Sequence, residues 1–250
     1  RFSRTVAKKI SRHRRARDTP PYDLIHPAPG VQSQRPVLAC TSGPYCLDVA
    51  QITKDQVVFT FDPALSATAS CESKITYIDG DAGVLLYRGY PVEQLAANSS
   101  FMEVAYLLIY GDLPNAAQLS SYRTSITRHT MINESLLRFT NGFHHNAHPM
   151  AMVSAVVASM AAFYYDSMDI HDPRHREIFS HRIVAKLPTI AADAHTHALG
   201  QPFTSPPHHL DYCTTWLHMS FAVPCQHYPV SRDAAHGPGR RFILPAATPQ

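Results

Sequence analysis

Two groups of histidines are the residues whose spacing first suggests chemistry. His144, His145 and His148 lie close together, and His195 and His197 flank a single threonine. A zinc site needs three or four converging ligands with supporting neighbours, and neither group has a carboxylate or a cysteine at a suitable spacing. The pattern therefore favours solvent-facing or helix-capping histidines over a metal site. The sequence also has no glycine-rich phosphate loop, no G-x-S-x-G and no H-E-x-x-H motif.

The clearest local structure is a hairpin followed by a helix, over residues 75–91. The strand formers Ile75 and Tyr77 precede the segment 79–83, which reads DGDAG, and the residues of 84–87 follow it. A short turn that needs a positive φ angle is typical of this glycine-containing pattern. Pro91 suits the first turn of a helix. By itself the spacing indicates a plain hairpin with no chemistry.

Most of the chain after Pro91 is predicted to be helical. Ser100 and Glu103 form a capping-box pattern, and Gly111, Asn115, Gly200 and the pair Asp172-Pro173 mark helix ends. The almost wholly apolar segment 150–165 predicts a buried core helix, and it is short for the alternative, a membrane span. The helix after Pro173 is expected to kink or end at Pro188, and another helix is expected over 208–223.

The N-terminal part differs in composition from the rest. Eight of the 22 basic residues and none of the 19 acidic ones lie in residues 1–17, so a basic arm precedes a net acidic body. This arm is interpreted as a solvated, disordered tail, with a targeting presequence or a nucleic-acid contact as alternatives. Residues 18–35 are proline-rich and expected to be irregular. The five cysteines are odd in number and include no C-x-x-C, which suits reduced thiols better than a disulfide framework.

Between 36 and 61 the sequence predicts a short β-rich segment. A turn is expected at Gly43-Pro44, and residues 57–61 (VVFTF) are expected to be a strand or extended segment stopped by Asp62-Pro63.

Several strings closely resemble bacterial-type citrate synthases. They are TASCESKITYIDGDAGVLLYRGYP (68–91), SFMEVAYLLIYGDLP (100–114), TRHTM (127–131), AHPMA (147–151), AFYYDSMDIHDP (162–173), HRIVAKLPTIAA (181–192), GQPF (200–203) and MSFAVPC (219–225). The resemblance implies a mainly α fold, a citrate synthase-like helical body with a small β-rich N-terminal segment. The expected division is a basic, proline-rich, disordered arm (1–35), a small β-rich segment (36–90), a partial helical large domain (91–228) and a divergent tail (229–250). Where the family usually has glycine this chain has Ala64, which would be strained if that site needs a positive φ. Two arginines usually stand at His144 and His145.

The resemblance also implies a function. Citrate synthases condense acetyl-CoA with oxaloacetate at the entry of the tricarboxylic acid cycle, by acid–base catalysis that uses two histidines and a carboxylate, with no cofactor or metal. The resemblance further implies a cytoplasmic homo-oligomer, either a dimer or a hexamer. The close alternative to citrate synthase activity is 2-methylcitrate synthase activity.

The resemblance assigns no catalytic residue to this chain. Pro245 and Thr248 stand where the family has histidines. The sequence of residues 229–241 does not resemble the helical sequence that the family has there. The segment 233–239, with Pro238 and two glycines, is expected to break a helix. We therefore expect a truncated or frame-disrupted copy that is inactive alone, without the small catalytic domain.

One set of residues resembles the NADH-effector site of regulated family members. Its members are Arg128, His129, Thr130, Met131, Tyr164, Arg182, Lys186 and Gln201. Arg182 and Lys186 are four residues apart, so they share a helix face. With Arg128 they are expected to form a cationic pocket for a diphosphate, with Tyr164 stacked on a ring. The alternatives are that these residues are only retained surface and core positions, that the chain is a non-catalytic module binding NADH or an intact synthase subunit, or that the basic arm binds nucleic acid.

Overall fold

The structure is a computed structural model that describes residues 21–25, 32–40, 42–223, 225, 228–230 and 232–246, with side chains of 232–236 left out. The basic arm over residues 1–17 lies outside the described residues. The described chain is mainly helical with only small sheets, which confirms the predicted fold class. The described residues divide into two compact units, one within residues 21–92 and one within residues 93–246.

The first unit contains three small antiparallel sheets and one short helix. Its elements are β1 (Tyr22–Ile25), β2 (Gln32–Arg35), β3 (Val37–Leu38), β4 (Cys46–Leu47), α1 (Ile52–Gln56), β5 (Thr76–Asp79), β6 (Val84–Tyr87) and β7 (Tyr90–Pro91). Strand β1 pairs with β2, β3 pairs with β4, and β5, β6 and β7 form a meander. The hairpin β3–β4 encloses the turn predicted at Gly43-Pro44, where Gly43 has a φ of 100°.

The strand pair β1–β2 corrects the prediction of irregular chain over 18–35. Neither strand contains a proline, so the backbone ladder keeps its donors. Helix α1, which the sequence did not predict, supplies the contacts that hold the pair. Arg35 forms an ion pair with Asp55 at 2.7 Å, and Gln56 Nε2 donates to the Leu24 carbonyl and the Ser33 hydroxyl at 3.2 and 2.9 Å.

Of the two alternatives predicted for 57–61, a strand or an extended segment, the strand does not form. Val57 ends α1 with a left-handed φ of 54°, and the rest of the segment forms neither helix nor strand. Phe59 and Phe61 are among the most exposed apolar side chains of the described residues. The expected strain at Ala64 is also absent, because the positive φ (52°) belongs to its neighbour Leu65.

The predicted hairpin and helix around 75–98 are confirmed. Strands β5 and β6 pair from Thr76↔Tyr87 to Asp79↔Val84, and Gly83 takes the positive φ of the turn, 66°. Strand β7 then folds back through a two-residue turn in which Arg88 and Gly89 both have positive φ angles, the geometry of a type I′ turn.

The second unit is helical. Its elements are α2 (Val92–Asn98, which begins one residue before the boundary), α3 (Phe101–Tyr110), α4 (Ala116–Arg128), α5 (Glu134–Thr140), α6 (Pro149–Phe163), a 3₁₀ turn (Tyr165–Ser167), α7 (Pro173–Ala198), α8 (Tyr212–Phe221) and α9 (Arg232–Ile243). Helix α7 packs against α4, α5, α6 and α8. Its Ala185 belongs to an apolar cluster with Met102 and Tyr122, and its Ile190 belongs to another with Leu136 and Met160.

The predicted helix caps of this unit are confirmed. Ser100 and Glu103 form a reciprocal capping box at α3, and Gly111 ends that helix with a φ of 92°. Asn115 caps α4 in a second box with Gln118, and Asp172 caps α7 ahead of Pro173. Asn133 also caps α5, a short helix that the sequence did not reveal.

Helix α6 packs into the core as predicted, but only one of its faces is buried. Met152, Val156 and Met160 lie inside, whereas Met150 is 64% exposed and Ala158 is exposed on the outer face. None of the helices in the described part of the chain is both long and apolar enough to cross a membrane.

Of the two outcomes predicted at Pro188, a kink or an end, the end is wrong, because helix α7 continues to Ala198. Proline lacks the N–H that would bond the carbonyl four residues earlier, which is that of Val184. The Tyr212 hydroxyl donates to this carbonyl instead, at 2.7 Å, so a side chain of α8 replaces the missing helical bond.

Helix α9 spans the segment 233–239, where the sequence predicted a helix break, so that prediction is wrong. It contains Pro238, yet Ile243 is buried and the Phe242 ring packs edge-on against Trp216 and Phe101. Packing on α8 and α3 therefore outweighs the low helix propensity of this segment.

Candidate functional site

Lys186 is a buried cation on the inner side of α7, and only 4% of the residue is exposed. Its ammonium group donates to the His129 carbonyl at 2.8 Å and to the Met131 carbonyl. The carbonyl between them, that of Thr130, accepts from the Thr189 hydroxyl at 2.9 Å. Helix α7 therefore holds three consecutive carbonyls of the loop that leaves α4.

The charge of Lys186 is costly in this position. Burial, and then the nearby charge of Arg182, lower the pKa of Lys186 to about 8. The two carbonyl acceptors act in the opposite direction because they favour the ammonium form. At neutral pH the side chain is a protonated donor.

Tyr164 lies beside two cations. The Arg182 guanidinium carbon and the Lys186 Nζ atom are each 5.0 Å from the centroid of its ring, within the range of cation–π attraction. Burial raises the pKa of Tyr164, and Arg182 partly offsets that shift. The phenol is therefore neutral at physiological pH.

Arg182 is already paired with an acid. Its two terminal nitrogens bind the Asp166 carboxylate at 2.5 and 2.9 Å, a bidentate contact, and one of them also donates to the Ser167 hydroxyl at 2.7 Å. These bonds lower the pKa of Asp166 to about 2 and raise that of Arg182. The positive charge of Arg182, which the sequence gave no reason to consider paired, is therefore balanced by Asp166.

The described contacts unite only part of the predicted effector site. Tyr164, Arg182 and Lys186 come together, and His129, Thr130 and Met131 join them through backbone carbonyls. Arg128 instead lines a separate cavity of about 520 Å³ with Arg123 and His208. Gln201 follows Gly200 at the end of α7, where its N–H donates to the Thr196 carbonyl at 2.9 Å.

A larger cavity adjoins the one that Arg128 lines. It has a volume of about 960 Å³ and is bordered by residues of α3, α4, α7, α8 and α9. Arg123, Thr127 and His208 line both cavities, and Arg240 adds a further cation to the larger one.

Sequence reasoning missed a chain of hydrogen bonds across α3, α4 and α7. The Tyr110 hydroxyl donates to Glu177 Oε1 at 2.7 Å, because a carboxylate only accepts. It therefore accepts from His181 Nε2, also at 2.7 Å, and the free Nδ1 accepts from the Ser125 hydroxyl at 2.9 Å. Burial lowers the pKa of His181. The only sequence signal was the four-residue spacing of Glu177 and His181.

Asp193 is a second missed feature. It lies on α7, it is 2% exposed, and its Oδ2 atom has no hydrogen-bond partner among the described residues. Burial raises the pKa of its carboxyl group to about 7. Nothing in the sequence around Asp193 indicated that its carboxyl group is buried without a partner for Oδ2 among the described residues.

All five singled-out histidines have contacts that orient their rings, and His195 packs edge-on against Phe221 with 5.4 Å between the ring centroids. His148 caps α6 by accepting from the Met150 N–H, and His144 accepts from the Asn146 N–H, both at 3.2 Å. His145 and His197 stack at 4.8 Å, and each binds a backbone carbonyl. The capping role predicted for this group is therefore confirmed for His148. Within the described ranges, no three His, Cys, Asp or Glu side chains form a metal-ligating group.

The two positions matched to family histidines lie at the end of the chain. Pro245 is exposed in the turn after α9, and Thr248 lies outside the described residues. Proline has no ionisable side chain, so Pro245 offers no acid or base.

Comparison with known proteins agrees with this architecture. The profile of the family described as "Citrate synthase, C-terminal domain" matches residues 64–236. The solved citrate synthases from Pyrobaculum aerophilum and Thermotoga maritima MSB8 are each 26% identical, with TM-scores of 0.63 and 0.61 over 72% and 74% of this chain.

A third solved structure shows the fold alone. It is citrate synthase from Thermoplasma acidophilum in a ternary complex with carboxymethyl coenzyme A and oxaloacetate, with 22% identity and a TM-score of 0.66 over 72% of this chain. This chain covers 46% of the length of each of the three. The described helices thus form part of a citrate synthase-like helical body. Because the profile matches more than half of the chain, the chain belongs to the citrate synthase family.

Proposed function

We propose that this chain provides the helical body of an enzyme that condenses acetyl-CoA with oxaloacetate to form citrate. The observation that carries the proposal is the family match over residues 64–236. A 2-methylcitrate synthase, which would use a three-carbon acyl-CoA, is the alternative within the same reaction class.

We further propose that the chain has no turnover by itself. This reaction needs groups that take a proton from the acetyl methyl carbon and polarise two carbonyls. By resemblance two of the family's histidine positions are occupied by Pro245 and Thr248, neither of which can act as a histidine does.

A thiol-release assay tests both statements. The full chain, expressed in a host without its own synthase, is mixed with oxaloacetate and either acetyl-CoA or propionyl-CoA, and free CoA is measured. The matched positive arm is a fusion in which the carboxyl-terminal half of a family member replaces residues 229–250, so that the two family histidines are restored. We expect release only from the fusion; release by the chain alone contradicts the second statement. An inactive fusion that retains helical structure contradicts the first.

A second proposed function is binding of NADH as an effector beside Tyr164. Its support is the approach of two cations to one aromatic ring, a setting that suits a diphosphate and a stacked base. The ligand must compete with Asp166 for Arg182. Lys186 is occupied by the two carbonyls, so its removal would disturb the loop as well as the ligand.

The competition gives a test that separates binding from folding. We expect Asp166→Asn to tighten NADH binding because it frees Arg182, and Arg182→Gln to weaken it. Asp169→Asn is the control, an exposed acid on the same segment. Calorimetry on the full chain and on the fusion measures both effects. If NADH binds neither protein, or if Asp166→Asn weakens binding, the effector proposal is wrong.

We also propose that the chain assembles as a homo-oligomer through the outer face of α6. Its support is the exposed apolar Met150 and the small Ala158 on that face. Ala158→Glu should shift the species measured by light scattering towards the monomer, whereas Ser121→Glu on the exposed side of α4 should not. Identical masses for both variants and the parent would contradict this interface.

A further inference from the structure

We infer that Cys40 and Cys46 form a dithiol site that closes reversibly to a disulfide when it meets a low-molecular-weight disulfide. Their sulfur atoms are 3.8 Å apart although the residues lie in different arms of the β3–β4 hairpin. The site belongs to the first unit and does not depend on the synthase activity proposed above.

The hairpin register explains the approach of the two sulfurs. Leu38 on β3 pairs with Cys46 on β4. Cys40 is two residues beyond Leu38, and side chains two residues apart in an extended chain point to the same side. Cys40 and Cys46 are thus diagonal neighbours on one face. Bonding requires the sulfurs to close to about 2 Å, a movement within reach of side-chain rotation and a small backbone shift.

The pair is also accessible. Cys40 is exposed and Cys46 is half-buried. Cys213 is different, because burial and then Asp211 raise the pKa of its thiol to about 12 and make it a poor nucleophile. Burial, and then Cys46 and Glu72, also raise the pKa of Cys40, so less of its reactive thiolate is present at neutral pH and closure should be faster at higher pH.

The reaction balances as two thiol–disulfide exchanges. The thiolate of the exposed Cys40 attacks one sulfur of the small disulfide, the S–S bond breaks, and one small thiolate leaves. The Cys46 thiolate then attacks the Cys40 sulfur of the mixed disulfide and expels the second small thiolate. The protein loses two protons and two electrons, and the small disulfide is reduced to two thiols. The product ties β3 to β4 through a closed loop over residues 40–46.

The sequence provides a direct mass readout. Trypsin does not cut between Arg35 and Pro36, so residues 18–54 form one peptide that holds both cysteines. Cys71 lies in the separate peptide 55–74, and Cys213 and Cys225 lie in 187–232. The reduced full chain is equilibrated with glutathione and glutathione disulfide, quenched with an alkylating agent and digested.

We expect peptide 18–54 to become resistant to alkylation and to lose two hydrogen atoms. Cys71→Ser, the control, should behave like the parent. In Cys40→Ser, Cys46 should carry a glutathione adduct or an alkyl group and no internal bond. The equilibrium constant for closure should fall at least about tenfold in urea, because the hairpin no longer holds the sulfurs together.

Three results would overturn the inference. One is peptide 18–54 with two alkyl or glutathione groups throughout the redox range. Another is a cross-link between peptides 18–54 and 55–74, which would mean that Cys71 is the true partner. The last is an equal equilibrium constant for disulfide closure in urea and in buffer, because the folded hairpin would then not favour the pairing of Cys40 with Cys46.

Discussion

Replacing Lys186 with methionine should destabilise the helical unit strongly. The change keeps much of the buried side-chain volume but removes the donors to the His129 and Met131 carbonyls. A hydrogen bond to a charged group contributes about 1.5–3 kcal/mol after desolvation is included. Two such bonds give a loss of at least about 3 kcal/mol. For a unit of this size, that lowers the melting temperature by roughly 6–12 °C.

The pH dependence of this effect has a definite sign. The pKa of Lys186 is about 8 in the folded protein and 10.5 as the reference value. Between these values the unfolded chain binds more protons, so the lysine contributes a stability that rises with pH. The parent should therefore gain up to about 3 kcal/mol relative to Lys186→Met between pH 8 and pH 10.5. Other groups titrate in both proteins and cancel in the difference.

Thermal unfolding followed by circular dichroism, at several pH values, measures both effects. Arg174→Met is the matched control, an exposed cation in the first turn of the same helix, and it should change stability by less than about 0.5 kcal/mol. A Lys186→Met variant that melts within 2 °C of the control, about 0.5–1 kcal/mol, would refute the proposed role of the carbonyl contacts. A difference that shrinks as pH rises would show that the carbonyls, and not burial, dominate the lysine's pKa.

Three further predictions concern other buried or paired groups. Tyr212→Phe should cost about 1–3 kcal/mol in urea unfolding, because the Val184 carbonyl loses its donor; an unchanged midpoint would contradict the replacement bond. Asp193→Asn should raise stability at pH 8 by up to roughly 4 kcal/mol and progressively less towards pH 4, since an acid whose folded pKa is raised to about 7 destabilises most when ionised; a pH-independent effect would contradict burial as the cause. Disulfide formation at Cys40 should accelerate about tenfold per pH unit around neutrality, because its thiol pKa is raised; stopped alkylation follows the rate, and a flat profile would contradict attack by this thiolate.

Features set by neighbouring residues were predictable from the sequence. The β5–β6 turn follows from the requirement of Gly83 for a positive φ, and the cap at Ser100 follows from its spacing to Glu103. Strand propensity alone misled at 57–61, because the left-handed end of α1 and the lack of a pairing partner leave those residues irregular.

Features that depend on distant partners could not be derived. Spacing indicated that Arg182 and Lys186 share a helix face, and the structure agrees. It could not show that Asp166 binds Arg182, or that Lys186 is buried against a loop more than 50 residues earlier. The sequence therefore indicated a cationic pocket, whereas the structure has one neutralised and one internally bonded cation. The predicted break at Pro238 failed for a related reason, because contacts with other helices override local propensity.

The bond from Tyr212 to the Val184 carbonyl has a consequence for the order of folding. Most helices can grow from one end by adding local bonds, one residue at a time. At Pro188 the local bond is missing, and its replacement comes from a helix that begins 14 residues after α7 ends. The two halves of α7 can therefore form separately, but their rigid junction requires that α8 has docked. We expect α7 and α8 to gain protection from hydrogen exchange in the same kinetic step, with the region around residue 188 protected no earlier than Tyr212.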